Sequence, residues 1–227
     1  MKTNLPLSGG EKRFTLKRWG DPKVGIKNNN CYAYAVDDYE TYRSQKSSPG
    51  NRTGEYLTKI DCKELVKKVL SDNPKKIYIE KPEKKCKKSH YKIMLFASKC
   101  KPNNGFNCSE DFHFYKHHGI VEYKVKEGDT VSKISKFLEI TPEKIKSQGP
   151  LKKGKILTFK KNLFSHKRGW ATGPLLTDSK GKIIKDPRRA GKKYDTLHYD
   201  TFCSSFCVKN RGIKVGNSHP KIRKNTI

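Results

Sequence analysis

Residues 121–160 read VEYKVKEGDTVSKISKFLEITPEKIKSQGPLKKGKILTFK, and the fold turns on this stretch. Tyr123 and Val125 alternate with lysines, as in a short strand. Gly128-Asp129-Thr130 supply a turn and a helix cap, after which Val131, Ile134, Phe137 and Leu138 recur at helical spacing. Thr141 opens a second helix around Ile145, and Ile156-Leu157-Thr158-Phe159 close with a strand. The order is strand, helix, helix, strand within forty residues.

On the YxVxxGDT start and the LxxGxxLxF-like end, this segment resembles a LysM domain. The resemblance implies a βααβ fold whose shallow groove binds N-acetylglucosamine polymers, peptidoglycan or chitin. The implied groove residues are Gly128, Asp129 and Thr130 after the first strand, and Gly149, Pro150 and Leu151 after the second helix. Where the family often has Asn after that helix, Ser147-Gln148-Gly149 stands here.

The flanks belong to a different unit. DFHFYKHHG (111–119) precedes the segment and NLFSHKRGW (162–170) follows it. The ends of a βααβ unit lie close together, so the insert fits a loop tip of a host domain. Removing it makes a hairpin that carries His113 on one strand and His166 on the next, with His117 and His118 in the insertion loop. Upstream, Tyr32, Ala35, Val36 and Tyr39 share one face of a helix expected from Cys31 to about Tyr42. Asp61 caps a second helix, and strand-like runs follow at 77–79, 91–97 and 111–116. Helices followed by an antiparallel sheet give an α+β class. DSKGKIIKDP (178–187) reads as a hairpin turning at Ser179-Lys180-Gly181, and YDTLHYDTFCSSFCV (194–208) closes the core.

In NNNCYAYA (28–35), a thiol sits where a polar loop becomes an apolar helix. A helix start stabilises a thiolate, and an adjacent imidazole held by a further polar group lowers its pKa more. Cys31 as nucleophile, His113 as base and His166 as the orienting group satisfy that chemistry. The amide of Asn30, or of Asn29, is either an oxyanion donor or simply a helix cap.

Around these residues the chain resembles the NlpC-type branch of papain-like cysteine peptidases. It is also similar to a phage, bacterial and giant-virus group patterned NNCYxYA, PG, DFHxYR, SHKxG, DxxGxIxDP and FCxxFCV. The matching segments here are NNNCYAYA, SPG (48–50), DFHFYK, SHKRGW (165–170), DSKGKIIKDP and FCSSFCV (202–208). The resemblance implies a papain-like helix-plus-antiparallel-sheet domain cleaving peptides or amides of cell walls, in a virus- or phage-encoded protein. Asn30-Cys31-Tyr32-Ala33 replaces the usual Asp-Cys-Ser-Gly. The expected organisation is an N-terminal arm (1–27), a host domain (28–119 and 161–208), an inserted LysM domain (120–160) and a basic tail (209–227).

Hydrophobic residues are 33% and charged residues 32%, so a folded chain with a lysine-rich surface is expected. The net charge of +29 attracts polyanions: nucleic acid, acidic capsid or membrane surfaces, anionic wall polymers. A non-enzymatic virion component bound through this charge is therefore the rival to a wall hydrolase. The first residues, MKTNLPLSGGEKRF, lack the apolar core of a signal peptide, and no run of about 18 apolar residues could span a membrane. These features lead to the expectation of a virion or host-cytoplasm location and of reduced thiols, Cys203 and Cys207 buried among them. No metal-ligand spacing and no cofactor motif is present, so neither is expected.

Overall fold

The computed structural model describes residues 4–99 and 109–216. The chain runs α1 (Gly25–Asn28), α2 (Cys31–Ala35), α3 (Cys62–Asp72), β1 (Ile77–Ile79), β2 (His90–Ser98) and β3 (Asp111–Lys124). It continues through α4 (Val131–Leu138), α5 (Pro142–Lys146), β4 (Ile156–Lys167), β5 (Pro174–Leu175), β6 (Lys193–Tyr194), β7 (Leu197–His198) and β8 (Thr201–Lys209). Six strands form one sheet in the order β1-β8-β2-β3-β4-β5, and the pairings among them are antiparallel. The α+β class is therefore observed.

One face of the sheet carries α2 and α3, with Tyr32, Leu65, Val69, Ile93, Leu95, Phe112, Phe114 and Phe206 in a common core. The alternate residues of the same strands, Met94, Phe96, Tyr115 and Phe164, meet Leu5, Ile184 and Tyr199 on the other face. Asp61 caps α3 through the amides of Lys63 and Glu64, as its sequence position demands. α2 is shorter than the periodicity predicts. It stops after Ala35, and Asp37 takes a left-handed φ of 62° while its carboxylate holds the Lys116 ammonium at 3.0 Å. The helix thus ends just before the half-buried Asp37, which pairs with the buried Lys116. Residues 210–216 also depart from an exposed tail, because Ile213 and Val215 are buried; the rest of the expected tail lies outside the described residues.

The LysM-like helices α4 and α5 connect β3 to β4. β3 runs unbroken for 14 residues and β4 for 12, so the host hairpin and the strands of the module are one ribbon. The register slips between His118 and Ile120, beside Gly119, where the two parts meet. His117 and His118 therefore lie inside β3, not in a loop, and both are buried. Past the slip, Val121, Leu157 and Phe159 pack against Ile134, Leu138 and Ile145 in a separate core that Phe14 of the N-terminal arm also enters.

Four of the cysteines overturn the expectation of reduced thiols, while Cys31 is free. Cys62 pairs with Cys203 and Cys86 with Cys207. Four residues apart on a regular strand, Cys203 and Cys207 would share a face. The pairing of β2 with β8 shifts between Leu95 and Phe96, leaving Cys203 as the extra residue. Cys203 turns toward α3, and Cys207 keeps the face of its register partner Lys92.

Candidate functional site

Two sites follow from the predicted residues. The first is the thiol neighbourhood. Asn30 caps α2: its Oδ1 accepts from the Ala33 amide at 3.2 Å and its Nδ2 donates to Ser47 O at 2.6 Å. Its capping role is therefore present, alongside a bond to the Ser47 carbonyl. Asn29 is likewise engaged, with Nδ2 donating to Glu40 O at 2.9 Å and Oδ1 accepting from the Glu40 amide at 3.0 Å.

Cys31 is 5% exposed and packs with Phe112 and Phe114. Its Sγ lies 3.8 Å from Phe112 O, and the Phe114 backbone amide also points at it, so sulfur meets β3 on either side of His113. The described residues show no hydrogen bond between Cys31 and His113. Burial, then the nearby Asp111 carboxylate, pushes the thiol up to about 12, with backbone hydrogen bonding and Lys167 only partly offsetting this. This reverses the expected activation. A five-residue helix has little dipole, and a sealed sulfur has lost its hydration.

His113 and His166 do come together. His113 Nε2 stands 2.7 Å from His166 Nδ1, and His166 Nε2 stands 2.9 Å from Thr177 O. Burial carries His113 well below the ordinary imidazole range and His166 down to about 4, so both rings are neutral at pH 7. A carbonyl only accepts, so His166 carries its proton on Nε2 and accepts at Nδ1 from His113 Nε2–H. His113 Nδ1 is left as the bare lone pair. Tyr199 stacks on His113 and donates to Asp111 Oδ2 at 2.8 Å. The pair shares its sheet face with Phe96 and Tyr115, whereas the Cys31 side chain packs with the helical face. The predicted residues thus meet around one stretch of β3, with the two imidazoles in contact and the thiol outside their hydrogen bonds.

Sequence reasoning missed the buried lysines. The Lys92 ammonium donates to the carbonyls of Lys81, Pro82 and Lys84, and Lys167 donates to Ile26 O at 3.0 Å and Gly169 O at 2.6 Å. Burial lowers both to about 8. A lysine in a strand that is otherwise buried on both faces is the available signal, since a lone ammonium needs a carbonyl cage to stay inside.

The second site is the groove of the helical module. Asp129 Oδ2 accepts from the Lys126 amide at 2.7 Å and from the Tyr123 hydroxyl at 3.0 Å, tightening the first loop. Gly128 follows the left-handed path with φ 73°, and the Thr130 hydroxyl caps α4 through Lys133 N. Gln148, in the Ser147-Gln148-Gly149 stretch after α5, makes a two-bond clasp: Thr158 N donates to its Oε1 at 2.8 Å and its Nε2 donates to Thr158 O at 3.1 Å. This fixes the second loop to β4. Between the loops, Val131, Ile145, Lys146, Gly149, Pro150 and Leu151 line a shallow pocket of about 280 Å³. Of the six predicted glycan residues, three line that pocket and three build the turn leading to Val131.

The LysM domain family matches residues 123–148, which cover β3's end, α4 and α5. The chain carries a LysM domain, and LysM domains bind GlcNAc-containing glycans such as peptidoglycan or chitin. Neither the curated proteins nor the solved structures compared with the chain give a match. Among the described residues, no group of three or more potential ligands could hold a metal, and no helix is long and apolar enough to cross a membrane.

Proposed function

We propose that this protein is a glycan-binding protein that holds a GlcNAc-containing polymer in the groove between residues 128–131 and 145–151. The observation that carries the reading is the pocket itself, lined by the loop and helix residues that the LysM resemblance implies. The ribbon formed by β3 and β4 couples a ligand in that groove to the host sheet. Attachment needs no turnover, and the resemblance to a phage, bacterial and giant-virus group extends the reading to a particle-borne protein. Cosedimentation with insoluble chitin and with peptidoglycan tests it. Wild type pellets with at least one polymer, and Leu151→Ser, which removes an apolar wall, weakens pelleting several-fold while circular dichroism stays unchanged. Wild type remaining in the supernatant with both polymers would sink the reading.

A second reading is a thiol hydrolase, favoured by one observation: Cys31 Sγ abuts β3 beside His113, whose ring is oriented by His166. Ligand or loop movement would have to bring the His113 lone pair onto the thiol and let water in. Incubation with peptidoglycan, scored by new amino groups, tests it. Release by wild type and not by Cys31→Ala or His113→Ala supports turnover; equal release from all three ends it.

A further inference from the structure

Resting on the glycan-binding reading, we infer that the groove selects an acidic GlcNAc-containing polymer, one bearing carboxylates along the chain, over a neutral one. Residues 124–155 hold nine lysines against four carboxylates. One of these lysines lines the pocket, and two are bonded to the loops beside it. Lys146 lines the pocket, is exposed, and has no partner among the described residues. Lys133 Nζ donates to Gly128 O at 2.8 Å, which seats its charge on the first loop. Lys155 Nζ donates to the carbonyls of Gln148 and Pro150, which seats another on the second loop. Its ammonium lies only 3.3 Å from where a Cβ on Gly149 would stand, so it sits against the groove backbone.

Among the described residues, these last two ammonium groups bond to neutral carbonyls and to no carboxylate. The carboxylates of the region are differently placed. Glu127 pairs with Lys153 at 2.6 Å, Glu139 pairs with Lys185, and Asp129 is turned into its own loop by the Lys126 amide and the Tyr123 hydroxyl. Glu143 lies in the first turn of α5, away from the second loop that follows that helix. Two loops pinned with a cation each, and a third cation on the wall, give a pocket whose field favours anionic ligands before contact and during it. A chain of amino sugars in which carboxylates recur fits that field; a neutral polymer gains nothing from it, and a deacetylated, cationic one is repelled.

Isothermal titration of the full chain separates the cases. The probes are a neutral chitin hexamer, a peptidoglycan fragment of similar length with free carboxylates, and the same fragment with its carboxylates amidated. The expected result is that the acidic fragment binds about tenfold more tightly than the other two at low salt, and that this advantage shrinks several-fold as NaCl rises from about 50 mM to about 500 mM. Lys146→Gln and Lys155→Gln each reduce the acidic-to-neutral ratio, and Lys155→Arg, which keeps the charge, restores it. Equal binding of all three probes at every salt overturns the selectivity while the glycan reading stands. Binding of none of them overturns both.

Discussion

His113 donates from Nε2 to His166 Nδ1 across 2.7 Å, and His166 passes the chain on to Thr177 O at 2.9 Å. This relay fixes both tautomers and belongs to a larger set of buried neutral imidazoles. His118 Nε2 meets Ser165 Oγ at 2.7 Å, and His117 Nε2 meets Asn162 Oδ1 at 2.6 Å. Together they run four histidines through the interior of β3 and β4.

That set sets the acid limit of the fold. Burial lowers His117 and His166 to about 4 and His118 to about 3, and takes His113 well below its ordinary value. Unfolded histidine titrates near 6.5, so between about pH 6.5 and 4 the unfolded chain binds more protons than the folded one. Stability therefore rises with pH in that window: it is at full strength above the unfolded value and falls as acid is added. Melting temperature measured from pH 7.5 to 4 is expected to drop steeply below 6.5. A profile that stays level down to pH 4.5 contradicts the burial of these rings as neutral species.

The thiol of Cys31 should be inert in the native protein. At a pKa of about 12 almost none is ionised at pH 8, and 5% exposure leaves little access. Alkylation by iodoacetamide, counted by mass, is expected to be equal for wild type and Cys31→Ala when folded, and to differ by one label in denaturant. A one-label difference in the folded proteins would mean that the sulfur is activated after all.

Reduction should weaken the fold. The two disulfides among the described residues close loops with sequence separations of 141 and 121 residues. Loops of that size correspond to about 3–5 kcal/mol each through restriction of the unfolded chain. Dithiothreitol is expected to lower the melting temperature by roughly 10 °C or more. Cys86→Ser/Cys207→Ser should show part of that loss and a smaller response to the reductant. No change on reduction would place these sulfurs outside any bridge.

Gln148 should serve the groove through the backbone. Gln148→Ala removes both bonds to Thr158 and leaves the second loop untethered, at a cost of about 1–2 kcal/mol. Chemical denaturation reads the stability loss, and glycan pelleting should fall with it. Gln148→Glu keeps the acceptor for Thr158 N but loses the donor, so it should lie between the two. Full stability in Gln148→Ala would leave the clasp without consequence.

Much of the module was legible before any coordinates. The Gly128-Asp129-Thr130 turn, the Ile134 and Leu138 spacing and the Gly149–Leu151 loop are local signals, and the structure places each in its expected element. The Asp178–Lys182 hairpin was equally local: Gly181 takes the left-handed φ of 73° that its turn requires. Asn30 left two readings open because cap and oxyanion donor use the same side chain; its Oδ1 caps α2 and its Nδ2 binds the Ser47 carbonyl 17 residues on.

The sequence by itself determined the α+β class and the strand–helix–helix–strand module, because periodicity, caps and turn residues act within a few positions of themselves. Only the tertiary structure decided that β3 and β4 run through host and module as one ribbon, that a bulge turns Cys203 to Cys62, and that the thiol of Cys31 is sealed with a raised pKa. Those outcomes depend on register across strands and on loss of water, and both are set by residues far apart in the chain.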